Sequence, residues 1–142
     1  MKLKILSLFF TMIFSISAQA YSEGIKLGKA GKVVEKFCRQ DSQGVRLSSG
    51  ENASLYRLTT WEEEPGWDTI KVIKDFHITQ ETYLNHSAQV SVIYTVTAKQ
   101  NDEGAFVNTH EEEKVLYKLV KVKDQWKIEG PQLMPHVLKI PK

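Results

Sequence analysis

The chain has 142 residues, with 19 Lys and Arg, 17 Asp and Glu, and one cysteine. Both lysines of the first 20 residues belong to a segment without acidic residues, so residues 21–142 carry 17 charges of each sign. This balance argues against a nucleic-acid partner, which requires a basic surface. A single cysteine also excludes an intramolecular disulfide, so stability must come from packing.

Residues 1–20 have the order of a secretory signal peptide. A short basic start is followed by a mostly apolar run from Ile5 to Ile16 and by the small residues of Ala18-Gln19-Ala20. The run is shorter than the about 20 apolar residues of a membrane-spanning helix. We predict cleavage after Ala20, an exported protein that is periplasmic or secreted, no membrane contact after cleavage, and one domain over residues 21–142.

Helical patterns come first in the remaining chain. From Ala30 to about Gln40 the apolar residues share one stripe of a helix, and these are Val33, Val34, Phe37 and Cys38. Cys38 is therefore expected to be a buried thiol rather than a reactive one. Asp41-Ser42-Gln43-Gly44 predicts the end of this helix. Ser48 and Glu51 have the spacing of a capping box and predict a second, short helix that contains Leu55 and Leu58.

The stretch Trp61-Glu62-Glu63-Glu64-Pro65-Gly66-Trp67-Asp68 separates the helical patterns from the strand patterns. We interpret it as a corner, with Trp61 closing the second helix and Trp67-Asp68 starting the first strand. The alternative is that both tryptophans are binding aromatics beside an acidic patch.

Alternating apolar and polar residues predict long strands after this corner. The first strand runs from Ile70 through a bulge near Asp75 to a turn at Asn85-His86-Ser87. The next strand covers Val90 to Ala98, with β-branched residues on both faces, and this favours a central position in the sheet.

A third strand and a hairpin complete the pattern. The third strand covers His110 to Lys123, and a tight turn at Lys123-Asp124-Gln125 leads into Trp126 to Glu129, which ends at Gly130-Pro131. The tail from Gln132 to Lys142 is expected to be extended. Its apolar residues either close the core or form an interface.

This order of elements resembles the nuclear transport factor 2-like (cystatin-like) superfamily, in particular its small exported bacterial members. The resemblance rests on four stretches: Gly44-Val45-Arg46-Leu47-Ser48, Trp61 to Asp68, Ala88 to Ala98, and Val115 to Pro131 with its Trp126-Lys127-Ile128. It implies an α+β fold in which N-terminal helices pack in a strongly curved antiparallel sheet, a cone with a concave mouth for a ligand. Fold alone does not determine activity in such a superfamily.

The resemblance also suggests site residues, because enzymes of the superfamily place an Asp or His base and tyrosine donors in the cone. Asp68 and His77 are the candidates for a base, although neither lies in a motif that assigns a catalytic role. The candidates for lining a ligand pocket are Trp61, Trp67, Tyr94 and Tyr117.

No metal or cofactor is expected. The four histidines are scattered, and the triplets Glu62–Glu64 and Glu111–Glu113 are typical of solvated edges. Nucleophile and phosphate-binding motifs are absent from the sequence. We predict a non-catalytic binding or interaction domain whose partner is a protein or a small ligand, with a homodimer as a further alternative. The competing hypothesis is a pocket enzyme of isomerase or dehydratase type that uses an Asp or His base.

Overall fold

The computed structural model describes residues 25–48, 53–63 and 65–140. The predicted signal peptide, Glu51 of the predicted capping box and Glu64 of the first acidic triplet lie outside these ranges. No helix within the described ranges is long and apolar enough to cross a membrane.

The first predicted helix is confirmed. Helix α1 spans Lys29–Ser42 and buries Val34, Phe37 and Cys38 on one stripe. It ends where the sequence predicts, because Gly44 takes a left-handed φ of 82° that favours glycine after a helix. A 3₁₀ turn follows at Val45–Leu47.

The second helix is shorter than the pattern suggests. Helix α2 covers only Ala53–Tyr56, a single turn, and Leu55 and Leu58 nevertheless both enter the core. So short a helix is held by its packing rather than by helix propensity.

Five strands form one sheet in the order β4-β3-β2-β1-β5. Their bounds are β1 Lys71–Tyr83, β2 Ser87–Gln100, β3 Phe106–Val122, β4 Gln125–Gly130 and β5 His136–Val137. The sheet curls into a half-barrel. An α+β fold with a curved sheet is thus confirmed, although the first helix of the described ranges begins only at Lys29.

The prediction of a wholly antiparallel sheet is wrong at one position. Strands β1 to β4 pair antiparallel, but β5 pairs parallel with β1. The reason is the path of the tail, which leaves β4 at one edge of the sheet and crosses to β1 at the other. A strand that arrives by such a crossover can run parallel to its neighbour.

Strand β2 lies in the centre of the sheet, as its β-branched composition predicts. Its inward residues Val90, Val92, Tyr94 and Val96 are all buried. The bulge expected near Asp75 is also present, since the pairing of β1 with β2 shifts register on both sides of Ile73. Such shifts bend a strand and help the sheet to curl.

Helix α1 packs on the inner face of the curled sheet. The Phe37 ring meets Trp61 and Tyr117 edge to face, with ring centroids 5.7 and 5.9 Å apart. At its N-terminal end, the N–H groups of Gly28 and Gly31 donate to the two carboxylate oxygens of Glu81 on β1, at 2.7 and 2.8 Å. A sheet residue therefore caps the helix.

The tail divides into a buried part and an exposed part. Pro135, His136 and Val137 are buried, and the Lys71 N–H donates to the Pro135 carbonyl at 2.9 Å. Leu138 and Ile140 are 45% and 50% exposed. The tail thus closes the core over three residues and then presents apolar side chains at the surface.

Candidate functional site

The two tyrosines predicted to line a pocket meet in the interior. Tyr94 of β2 and Tyr117 of β3 point to the same face, and their hydroxyl oxygens share a hydrogen bond of 2.7 Å. The Cys38 Sγ lies 3.1 Å from the Tyr94 hydroxyl. Burial raises the pKa of the Cys38 thiol to about 12 and the pKa values of both tyrosines well above 10. All three groups therefore stay protonated at neutral pH.

His136 of β5 covers this group from the tail side. Its ring stacks on Tyr94 with centroids 4.1 Å apart, and its Nε2 lies 3.3 Å from Glu113 Oε2. Glu113 in turn accepts a 2.7 Å bond from Lys71. The hydrogen bond with His136, followed by that with Lys71, lowers the pKa of Glu113 to about 2 against the effect of burial. We call Cys38, Tyr94, Glu113, Tyr117 and His136 the interior cluster.

A buried ion pair adjoins the interior cluster at the C-terminal end of α1. Asp41 accepts a bond from the backbone N–H of His136 at 3.1 Å, and its other carboxylate oxygen is 3.6 Å from Arg46 Nη1. The Arg46 guanidinium lies 5.5 Å from the centre of the Trp61 ring. The pair ties α1 and the 3₁₀ turn to the tail.

Trp61 and Trp67 occupy different environments. Trp61 belongs to the main core, where it packs against Phe37. Trp67 is half-buried on a second, smaller core cluster around Ile70, and it lines a cleft of about 360 Å³ together with Phe106. The predicted corner is wrong in detail, because α2 already ends at Tyr56 and β1 begins only at Lys71, so Trp61 does not close the helix and Trp67-Asp68 do not start the strand. Trp67 instead faces a surface cavity.

Asp68 and His77 are not brought together. Asp68 is exposed in the bend before β1, and His77 is exposed on the strand itself. His77 lies six residue steps along the strand from Lys71, about 20 Å at the usual rise. His77 lines a cavity of about 390 Å³ that does not include Asp68.

Surface cavities surround the exposed part of the tail. The one beside His77, which we call the edge groove, is lined by Lys74 to Ile78 of β1, Glu35 and Arg39 of α1, and Ile25, Leu27 and Leu138. Leu138 also borders a second cavity of about 490 Å³ between the end of α1 and the tail. That cavity shares Leu47 with the Trp67 cleft. The second cavity thus adjoins both the edge groove and the Trp67 cleft.

The acidic triplet on β3 is part of the sheet's ion pairs. Glu111 pairs with Lys99 and Glu113 with Lys71, while Glu112 is exposed. Among the described residues, no three His, Cys, Asp or Glu side chains converge as metal ligands would.

Sequence reasoning missed His136, Glu113 and Asp41. His136 lies 23 residues from Glu113 and 95 from Asp41, so no local motif joins them. The sequence does contain one indication of the position of Glu113. It lies two and four residues before Val115 and Tyr117 on β3, so its side chain points to the same buried face of the sheet.

Comparison with protein-family models gives no match, and comparison with curated proteins finds no similar sequence.

Proposed function

We propose that this chain is an exported, non-catalytic binding or protein-interaction domain with a nuclear transport factor 2-like cone. Support for the cone comes from α1, which packs on the inner face of a curled sheet through Phe37 and Cys38. Support for export comes from the signal-peptide pattern of residues 1–20.

Binding is favoured over catalysis by the contrast between the interior and the surface. Inside, the hydroxyls of Tyr94 and Tyr117 bond to each other and the His136 ring stacks on the Tyr94 ring. Outside, the cavities beside the tail have volumes of about 390 and 490 Å³, within the usual range for ligand sites. The observation that carries the proposal is Leu138, an apolar side chain that is 45% exposed where these two cavities meet.

The test is affinity capture of the full-length chain, expressed in its native host, followed by mass spectrometry. We expect a stoichiometric protein or a co-purifying small molecule. Capture should be lost in Leu138→Glu, because a carboxylate in an apolar contact is unfavourable. It should persist in Val107→Glu, which changes an apolar residue of β3 that is 54% exposed. Equal capture by both variants would refute binding at the tail.

Export has a separate test. Intact-mass measurement of the protein from the envelope or the medium should give a chain that begins at Tyr21. A chain that still carries residues 1–20 would contradict cleavage.

A second candidate function is a pocket enzyme of isomerase or dehydratase type. Asp68 and His77 remain its sequence-based candidates for a base, and the observation that favours it is a different pair, Glu113 with His136. These side chains are 3.3 Å apart beside two tyrosine donors, and His136 Nδ1 has no partner among the described residues. Such a group has the composition needed for proton abstraction next to a carbonyl.

Proton exchange distinguishes the two functions. We expect that the protein does not accelerate the replacement of the α-protons of simple ketones by deuterium from D₂O, as followed by NMR. Exchange that is lost in Glu113→Gln but retained in Glu103→Gln, with both variants folded, would instead establish the enzyme.

A further inference from the structure

Strand β1 is paired along one edge but only briefly along the other. Strand β2 pairs with it from Lys71 to Tyr83, whereas β5 meets only Lys71 and Val72. The tail then leaves the sheet, because the Leu138 N–H donates to the Ser42 carbonyl of α1 at 2.9 Å. Within the described ranges no other strand continues the line of β5 along β1.

The edge groove lies along this continuation. Five consecutive residues of β1, from Lys74 to Ile78, line it. Successive side chains of a strand point to opposite faces of the sheet. A cavity that touches five in a row therefore faces the edge of the strand, where backbone N–H and C=O groups point, and not one face of the sheet.

The far side of the groove is built from α1 and apolar residues. Glu35 and Arg39 lie one helical turn apart and form an ion pair of 2.8 Å on α1. Ile25 and Leu138, which are 40% and 45% exposed, add apolar walls. The groove thus has a strand edge on one side and a helix on the other.

We propose that the edge groove binds an extended peptide segment of a partner protein, which adds to β1 as a strand in line with β5. The proposal rests on the proposed binding function and names the class of partner. Strand addition of this kind uses main-chain hydrogen bonds for affinity and alternate side chains for specificity. The chain itself provides the precedent, since β5 already pairs parallel with the same edge.

The edge groove suits the backbone of a peptide and shows no preference for a ligand of one charge. Its rim carries Lys74 and Asp75 of opposite sign beside the Glu35–Arg39 pair. An acyl chain would leave the polar edge groups unsatisfied, which is costly when they are buried. Charges and bulges on an edge strand disfavour pairing with a second long edge. A second copy of this chain is therefore a poorer occupant than one short segment.

The test begins with a phage library of random 12-residue linear peptides selected on the full chain. The tightest peptide is then synthesised with single N-methyl groups at each position in turn. We expect alternate positions to lose at least about tenfold in affinity, because only every second N–H of an added strand faces β1. A loss without this alternation, or no enriched peptide at all, would overturn the proposal.

Two variants locate the peptide. Ile25→Glu should weaken binding by at least about tenfold, because it places a charge in the apolar wall of the groove. The matched control Val107→Glu should change affinity by less than about twofold. Equal binding to both would place the peptide elsewhere and overturn the proposal, as would displacement of the peptide by a fatty acid.

Failure here is distinguishable from failure of the binding function. If no peptide binds but capture from the native host still depends on Leu138, the strand-addition mode is wrong and the binding function stands. If Leu138-dependent capture fails as well, both are wrong.

Discussion

The two ends of α1 are fastened to the sheet by carboxylates in different environments. At the N-terminal end, Glu81 accepts the N–H groups of Gly28 and Gly31 from a partly exposed position on β1. At the C-terminal end, Asp41 is 1% exposed and accepts from His136 while it pairs with Arg46. The first carboxylate lies on the sheet and reaches the helix, and the second lies on the helix and reaches the tail.

The difference shows how burial changes the strength of similar contacts. Water screens an exposed carboxylate and replaces its partners when they are lost. A buried carboxylate has no such replacement, so removal of its contacts leaves charged groups uncompensated. We therefore expect the C-terminal fastening to contribute more to stability than the N-terminal one.

The largest effect is expected from Asp41→Ala. This change leaves the buried Arg46 without the Asp41 carboxylate and the His136 N–H without its acceptor, which should cost about 3–5 kcal/mol in the free energy of unfolding. Urea denaturation measures the change. Asp102→Ala, in the exposed loop after β2, is the control and should stay within about 0.5 kcal/mol. Similar losses in the free energy of unfolding in both variants would contradict the larger contribution of the C-terminal end of α1.

A smaller effect is expected from Gly31→Val at the other end. A Cβ atom at Gly31 would lie 2.8 Å from Glu81 Oε2 and 3.1 Å from Leu27 Cδ2, so the cap must move. Overpacking of this kind costs about 1–3 kcal/mol. Thermal unfolding of Gly66→Val is the matched measurement, because a Cβ at Gly66 meets nothing within 4 Å. If the Gly31 variant were as stable as the Gly66 variant, the contact of Glu81 with the N-terminal end of α1 would not contribute to stability.

Glu81→Gln should cost about 1 kcal/mol, the usual value of a helix cap. The amide keeps the shape of the side chain but loses the charge and one acceptor oxygen. Denaturation at pH 7 measures the loss, with the exposed Glu103→Gln as control. A cost as large as that of Asp41→Ala would contradict the ranking of the two ends.

The smallest effect is the pH dependence of the Glu81 cap. Burial favours the protonated form, but hydrogen bonds from Tyr83, Gly28 and Gly31 outweigh it and lower the pKa of Glu81 below its ordinary 4.5. The carboxylate is thus favoured in the folded state, and its contribution is complete above pH 4.5 and lost as pH falls through the folded pKa. The stability gap between the native chain and Glu81→Gln should therefore narrow from pH 7 to pH 3. A constant gap would show that the charge has no part in the cap.

Local patterns account for most of the fold. The stripe of Val34, Phe37 and Cys38 predicts α1, and the alternation in β2 predicts both the strand and its central position. The hairpin turn is also found where expected, at Lys123 and Asp124, which take φ values of 49° and 63°. Positive φ at both central residues matches the twist of the flanking strands. Each of these features depends on residues that are close together in the sequence.

The remaining features depend on contacts between distant residues. The parallel pairing of β5 follows from the path of the tail across the sheet. Strand β5 has only two residues, too few for a sequence pattern to reveal this path. The interior cluster likewise needs three-dimensional register to bring Glu113 and His136 together. Alternation does place Tyr94 and Tyr117 on the buried faces of their strands, whereas their role in lining a ligand pocket stays a prediction.

The bond between His136 and Asp41 has a consequence for the order in which the chain acquires its structure. Its two partners are 95 residues apart, so the C-terminal end of α1 lacks this contact until the tail has reached it. Contacts of such long range form late and slow the folding of a chain. A chain truncated before residue 136 should therefore hold α1 against an incomplete sheet, a state that exposes apolar surface to chaperones and proteases.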